Sequence, residues 1–396
     1  MKQFYVFMIN GIFCMIGELV DASFGNNLGI DSICVLSALF AIEGCLEKFF
    51  NWGSMSYQVK MSKESECLIL SGIFGGMCAL FLIGGSDCIP YLWSLTETQY
   101  ELFKKCMVCF GAGVLAWSFN GFMHRFVVLN CMNRLMMTSD VLYYIVIIIV
   151  DTAILCLRLP CYWMIIATNI VLALQAVLFA VCSKVWRKLR KPSAKALKEC
   201  FLCGRDLFFE KIFTTVMNIL FNSLASRLGT ELYALNSICS SITTYMNYVI
   251  LSIYDFLLVR LKPIGSTLCK YKEMKVWRHK CAALVIGISY VLAYLMAMPM
   301  KGDVSTYSVL GILWIYCTKV FTEIIVQSHT AYAVSCGSTK HLVFGSIVGA
   351  VMGTVLSCIG VYTPVGIFAF ALVGFFSSCV KGLLYRFVSK KIAAEG

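Results

Sequence analysis

The strongest constraint in this sequence is a succession of apolar stretches, most of them near the roughly 20 residues that a helix needs to cross a bilayer. They fall at about 4–24, 32–57, 67–84, 103–126, 141–157, 161–185, 207–226, 232–259, 281–300, 305–335, 343–361 and 365–388. In hydrocarbon every backbone polar group must be satisfied within the protein, and stretches of this length do so as helices. The expectation is therefore an all-α integral membrane protein with about twelve spans. A mean hydropathy of +0.81 and a charged fraction of only 14% lie far from the values of a soluble domain. The first stretch follows a lone Lys2 and could pass for a signal peptide, but it is long, carries acids and is followed by further spans, so a retained helix is expected. Arg158-Leu-Pro160 between the fifth and sixth stretches predicts a tight turn, because Pro and a charge interrupt the apolar run.

Loop charge gives the orientation. With a cytoplasmic N-terminus, about 24 of the 33 Lys and Arg fall in inward loops and termini and about five outward, as the positive-inside rule requires. An odd number of spans would spoil that alternation. Both termini are thus expected in the cytoplasm of a multi-pass cell-membrane protein. The net charge of +12 lies in these short loops rather than on an aromatic-studded patch, which argues against a nucleic-acid partner. The largest basic run, with Lys184, Arg187, Lys188, Arg190 and Lys191 ahead of Pro192, sits mid-chain. It predicts a cytoplasmic linker, 184–202, between an N-terminal lobe, 1–183, and a C-terminal lobe, 203–396. The 21 cysteines lie mostly inside apolar runs, where thiols behave as small hydrophobes, and form no regular framework. Cys200 and Cys203 have no second ligand pair, so no metal is expected.

Acids inside apolar runs are the candidates for function. An ionised Asp at the centre of a spanning helix costs roughly 2.5–3.5 kcal/mol on insertion scales, so such groups usually face a cavity or mark an ion pathway. Glu18 and Asp21 share a helix face near the end of the first stretch. Asp151 lies in the fifth. No Lys or Arg stands mid-span in the first, fifth or sixth stretches to neutralise them. Acids brought together in low dielectric resist ionising together, so such a cluster can take up and release a proton. In other spans, Glu43 lies deep enough to be a secondary candidate, with Glu47 and Lys48 beside it. Glu210 has Lys211 adjacent and Arg205 nearby, as in either an interfacial ion pair or a gate or substrate contact. Lys319 and Glu323, four residues apart, are expected to pair. His124 and Arg125 are expected to snorkel to the inner surface.

The two halves look alike. Ser23-Phe-Gly-Asn-Asn-Leu-Gly-Ile-Asp31 matches Ser223-Leu-Ala-Ser-Arg-Leu-Gly-Thr-Glu231 in its Ser, its Leu-Gly and its acid, at a period of about 200 residues. Equal span counts on either side predict two six-helix lobes related as a parallel pseudo-repeat, an architecture of transporters. The motifs resemble one family, the multidrug and toxic compound extrusion (MATE) transporters, within the larger group that includes polysaccharide and lipid-linked-oligosaccharide flippases. Gly229-Thr-Glu-Leu-Tyr-Ala-Leu-Asn-Ser237 resembles the family's pattern between its seventh and eighth helices, with Glu210 at the family's spacing ahead of it. Val20-Asp21 with Leu28-Gly29, the loop Cys336-Gly-Ser-Thr-Lys340, and Gly366 are similar to further family motifs, in matching order along the chain.

The resemblance implies a cation-coupling cluster. It places the first-helix Asp on Asp21, the fifth-helix Asp on Asp151 and a sixth-helix Thr on Thr168. Ile147 stands where the family has Asn, so a neutral oxygen ligand is missing, which favours H+ over Na+. Glu18 stands where relatives often have Asn, and Asp206 where they commonly have Pro. Glu210, Asn236 and Glu43 remain substrate or gate candidates. The function so implied is export of an organic cation or amphiphile by a monomeric secondary transporter, with a proton or Na+ as coupling ion and no other cofactor. Alternatives are a flippase for a lipid-linked saccharide and a non-transporting membrane scaffold. No phosphate loop, zinc-ligand spacing or nucleophile with a base points to an enzyme.

Overall fold

The computed structural model describes residues 2–28, 30–89, 96–225, 230–297, 306–361 and 367–395, and within them gives no account of the side chains of 21–23, 25–27, 217–225 and 230–241, among others. The protein is all-α. Thirteen α-helices run through the described residues: α1 Lys2–Asn27, α2 Ile30–Phe50, α3 Trp52–Val59, α4 Glu64–Gly84, α5 Glu97–Leu129, α6 Asn133–Cys156, α7 Tyr162–Ser183, α8 Ala194–Ala225, α9 Thr230–Leu261, α10 Thr267–Ala297, α11 Thr306–Ser335, α12 Lys340–Val361 and α13 Ile367–Glu395. Among the described residues ten helices are long and apolar enough to cross a membrane, which makes this a multi-pass membrane protein. The α2 segment is more heavily charged, with Asp31, Glu43, Glu47 and Lys48. The α8 helix opens on a charged first half before its apolar second half.

The twelve stretches become thirteen helices because the second is interrupted. Asn51, with φ −86° and ψ 12°, separates α2 from α3. Ser118 on α5 donates to the carbonyl oxygen of Phe50 at 2.5 Å and lies 2.7 Å from that of Ser71, so the interruption leaves no orphaned acceptor there. The adjoining Gly53 allows α3 to lie on α4, since a Cβ would come within 2.1 Å of the Cys67 carbonyl oxygen. The mid-chain basic run is not extended throughout: a 3-10 turn occupies Val185–Arg187 and α8 has begun by Ala194.

The chain divides into two compact units, Ile16–Phe208 and Met1–Met15 with Phe209–Gly396. In the first, α5 is central, packed by α2, α3, α4 and α7, with α6 on α7. In the second, α11 is central, packed by α9, α10 and α13, with α12 on α13. The order of packing is therefore repeated, with α2/α3, α4, α5, α6 and α7 corresponding to α9 through α13. Both central helices also end alike. Cys131 (φ 59°) and Gly337 (φ 70°) are left-handed, and the following amides, Met132 and Ser338, each bond back to a carbonyl five residues earlier at 3.0 Å. That is a Schellman ending, which satisfies the last carbonyls of each helix. The same ending, at Arg158 and Leu159, makes the tight turn expected between α6 and α7.

Candidate functional site

The helices that carry Asp21, Asp151 and Thr168 meet in one small apolar cluster. Phe24 from α1 and Leu28 just after it, Val150 and Ile154 from α6, and Met164 and Ala167 from α7 pack together, with Leu159 from the turn between α6 and α7. Asp151 is flanked by the α6 members and is only 1% exposed. Thr168 is half-buried, next to Ala167. Asp21 lies on α1 three residues ahead of Phe24, and its side chain lies outside those described.

The buried face of α6 extends this site toward its N-terminus. Asp140, Tyr144, Ile147 and Asp151 recur at spacings of four, three and four residues, so they share one face, and all four are buried. Tyr144 donates to Glu18 on α1 at 3.1 Å. Gly17 permits the approach, because a Cβ there would come within 2.3 Å of the Tyr144 ring. Glu18 also acts electrostatically on Glu43 of α2, along with Glu47 and Lys48, while Lys48 is itself paired with Glu47. Glu18 thus links the face of α6 to the carboxylates of α2.

Two polar arrangements in this unit escaped the sequence reading. His124 of α5 turns toward Asp140 at 3.4 Å rather than snorkelling outward. Gln175 of α7 donates to Asp140 at 3.0 Å and accepts from Asn120 at 2.9 Å. Beside Thr168, Asn169 accepts from the Trp117 indole at 2.8 Å and donates to the Cys109 carbonyl at 2.8 Å, which ties α7 to α5. Gly113 makes room for it, since a Cβ would come within 2.0 Å of the amide. Only the isolated Asn and Gln in apolar stretches hinted at these contacts. Their partners are 35 to 60 residues away in the chain.

In the other unit Glu210 is enclosed. Its carboxylate accepts from the Lys381 ammonium at 2.6 Å, from the Tyr385 hydroxyl at 3.0 Å and, at the edge of range, from Ser346 at 3.5 Å. The adjacent Lys211 acts on it through its charge, and Arg205 pairs with Asp206 at 3.3 Å. Lys319 and Glu323 do not close the expected ion pair. Glu323 accepts from Ser378, and the Lys319 ammonium stands 6.0 Å from the Tyr316 ring centroid. Asn236 lies on α9, with its side chain outside those described.

No protein-family model and no curated protein matches the sequence. Solved structures do match the fold. A multidrug resistance MATE family transporter of the MOP superfamily, in an outward-facing conformation, superposes with a TM-score of 0.82 at 15% identity, over 99% of this chain and 96% of that one. A MOP superfamily transporter from Pyrococcus furiosus, whose binding pocket is described as having reversed polarity, gives 0.80 at 16% identity with the same coverage. A MATE protein in complex with MaL6 gives 0.80 at 16% identity, again over 99% and 96%. The chain therefore has the MATE fold, extended over nearly its whole length.

Proposed function

We propose that this protein is a proton-coupled secondary transporter of the cell membrane, exporting amphipathic or cationic small molecules by alternating access. The reading places both termini in the cytoplasm and takes the monomer as the working unit. The observation that carries it is the meeting of α1, α6 and α7 around the buried Asp151, on helices that bring no mid-span Lys or Arg. A buried acid in such surroundings is a costly group to keep without a use. Asp21 and Asp151 form the coupling unit, Glu18 is a third acid reached through Tyr144, and Thr168 is a neutral hydrogen-bond partner. Ile147 shares the Asp151 face of α6 and supplies no oxygen, which favours H+ over Na+. Protonation drives the cycle only by binding the two states of the transporter differently.

Glu210 has a different role in this reading. With an ammonium and two hydroxyls around its carboxylate, it is a structural anchor of its unit rather than a proton carrier. The test is uptake of a fluorescent organic cation by proteoliposomes under an imposed proton or Na+ gradient. Uptake that follows the proton gradient supports the proposal. Uptake that follows Na+ alone contradicts the choice of ion, and movement of lipid-linked saccharide in place of the cation favours the flippase.

A further inference from the structure

Three helices of the Phe209–Gly396 unit place two guanidinium groups around one histidine, and among the described residues neither is in an ion pair. Arg278 of α10 donates to Nε2 of His329 on α11 at 3.2 Å. A guanidinium only donates, so Nε2 accepts and Nδ1 carries the proton, which it gives to Ser389 of α13 at 2.9 Å. His329 is fully buried. The imidazole is thereby held as the neutral tautomer, and it fixes one edge of Arg278. Arg386, one turn before Ser389 on α13, is exposed, and its charge acts on both Arg278 and His329.

The described acids of α10 and α11 are already engaged. Glu273 accepts from Arg260 and from the Trp277 indole, each at 3.0 Å. Glu323 accepts from Ser378. Among the described residues neither Arg278 nor Arg386 forms an ion pair, and the charged or ionisable groups acting on Arg278 are Arg386 and the Tyr271 phenol. Two like charges, one half-buried and one exposed, repel unless an anion lies between them. Arg278 commits one of its five donors to His329, leaving its fork open to a ligand.

We infer that Arg278 and Arg386 form a binding site for the phosphate of an anionic phospholipid headgroup, with His329 and Ser389 holding Arg278 in position. Paired guanidiniums match phosphate oxygens in number and geometry. The level is that of a headgroup. Tyr271, half-buried, and Trp277, buried, precede Arg278 on α10, and Lys275 and Lys280 lie over their rings at 5.9 and 5.0 Å. Aromatic side chains of this kind mark the membrane interface. The α10–α13 ends concerned face the side that loop charge assigns to the cytoplasm, where anionic lipids are the prevalent phosphate donors.

The experiment titrates the purified full chain, in nonionic detergent, with phosphatidylglycerol and with phosphatidylcholine, and counts bound lipid by native mass spectrometry. The wild type should prefer phosphatidylglycerol, and Arg278→Gln and Arg386→Gln should each weaken that preference about fivefold. Arg278→Lys, which keeps the charge but loses the fork, should also weaken it. Lys272→Gln/Lys390→Gln removes two charges from the same two helices and should leave the preference intact. Equal losses in that control, or an unchanged preference in an Arg278→Gln/Arg386→Gln protein, would overturn the site. A parallel arm with inorganic phosphate separates the sources. Stabilisation by free phosphate without a preference for phosphatidylglycerol would overturn the lipid assignment. None of these readouts depends on transport.

Discussion

Glu210 and Lys381 are separated by 171 positions in the chain, yet each decides what the other costs. With side-chain exposures of 5% and 12% the pair is buried, and removing one partner of such a pair strands a charge at a cost of about 3–5 kcal/mol. Glu210→Gln and Lys381→Met are each expected to lower the thermal midpoint of the detergent-solubilised protein strongly. The double variant should recover most of the loss, because the remaining charge is gone. Lys262, in the turn after α9, makes a second prediction at this scale. Burial, and to a smaller extent the Lys270 charge, push its ammonium down to about 8. Its folded pKa lies below the unfolded value, so the charged form opposes folding at pH 7, and stability is gained as pH rises from about 8 toward the ordinary lysine value near 10.4. Lys262→Met should therefore stabilise the protein at pH 7, with an advantage over wild type that shrinks steadily by pH 10. An advantage independent of pH would point to packing instead.

The elements were legible where length and composition alone decide them. Each apolar stretch of the sequence is represented by helix, and the turn at Arg158 to Pro160 falls where the charge and the proline predict it. The break at Asn51 was not legible, because it depends on Ser118, which comes from another helix to take the released carbonyl. The turn of His124 toward Asp140 was hidden for the same reason. A polar residue near a helix end reads as a snorkelling one until its partner is placed. The helix containing Asp151 was legible as a candidate, since an acid in an apolar run stands out, while the alignment of Asp140, Tyr144 and Ile147 with it required the helix to be built. Element endings offer a direct test. The left-handed position after α5 is held by Cys131, and the corresponding position after α11 by Gly337. Glycine adopts that conformation without the steric cost of a Cβ, so Cys131→Gly should stabilise by about 0.5–1 kcal/mol in a thermal or denaturant measurement. Gly337→Ala should destabilise by a similar amount.

At the scale of the whole molecule, the two units repeat one order of helix packing at low sequence cost, with a few Leu-Gly, Schellman and acid positions as its visible marks. The orientation proposed from loop charge predicts that a cysteine placed at Ala194, in a background without other cysteines, will not react with an impermeant reagent outside intact cells. Labelling there from outside would reverse the orientation. The central claim is that Asp21 and Asp151 act as one proton-coupling unit. If they do, replacing either by Asn removes the titration while keeping the shape, and the double replacement adds little because the unit is already disabled. The most direct measurement is proton-driven transport of a fluorescent organic cation in proteoliposomes holding equal amounts of wild type, Asp21→Asn, Asp151→Asn and the double variant. Loss of gradient-driven transport in both single variants, with the double scarcely worse and membrane insertion unchanged, is the predicted result. Full proton-driven transport by both single variants would contradict it.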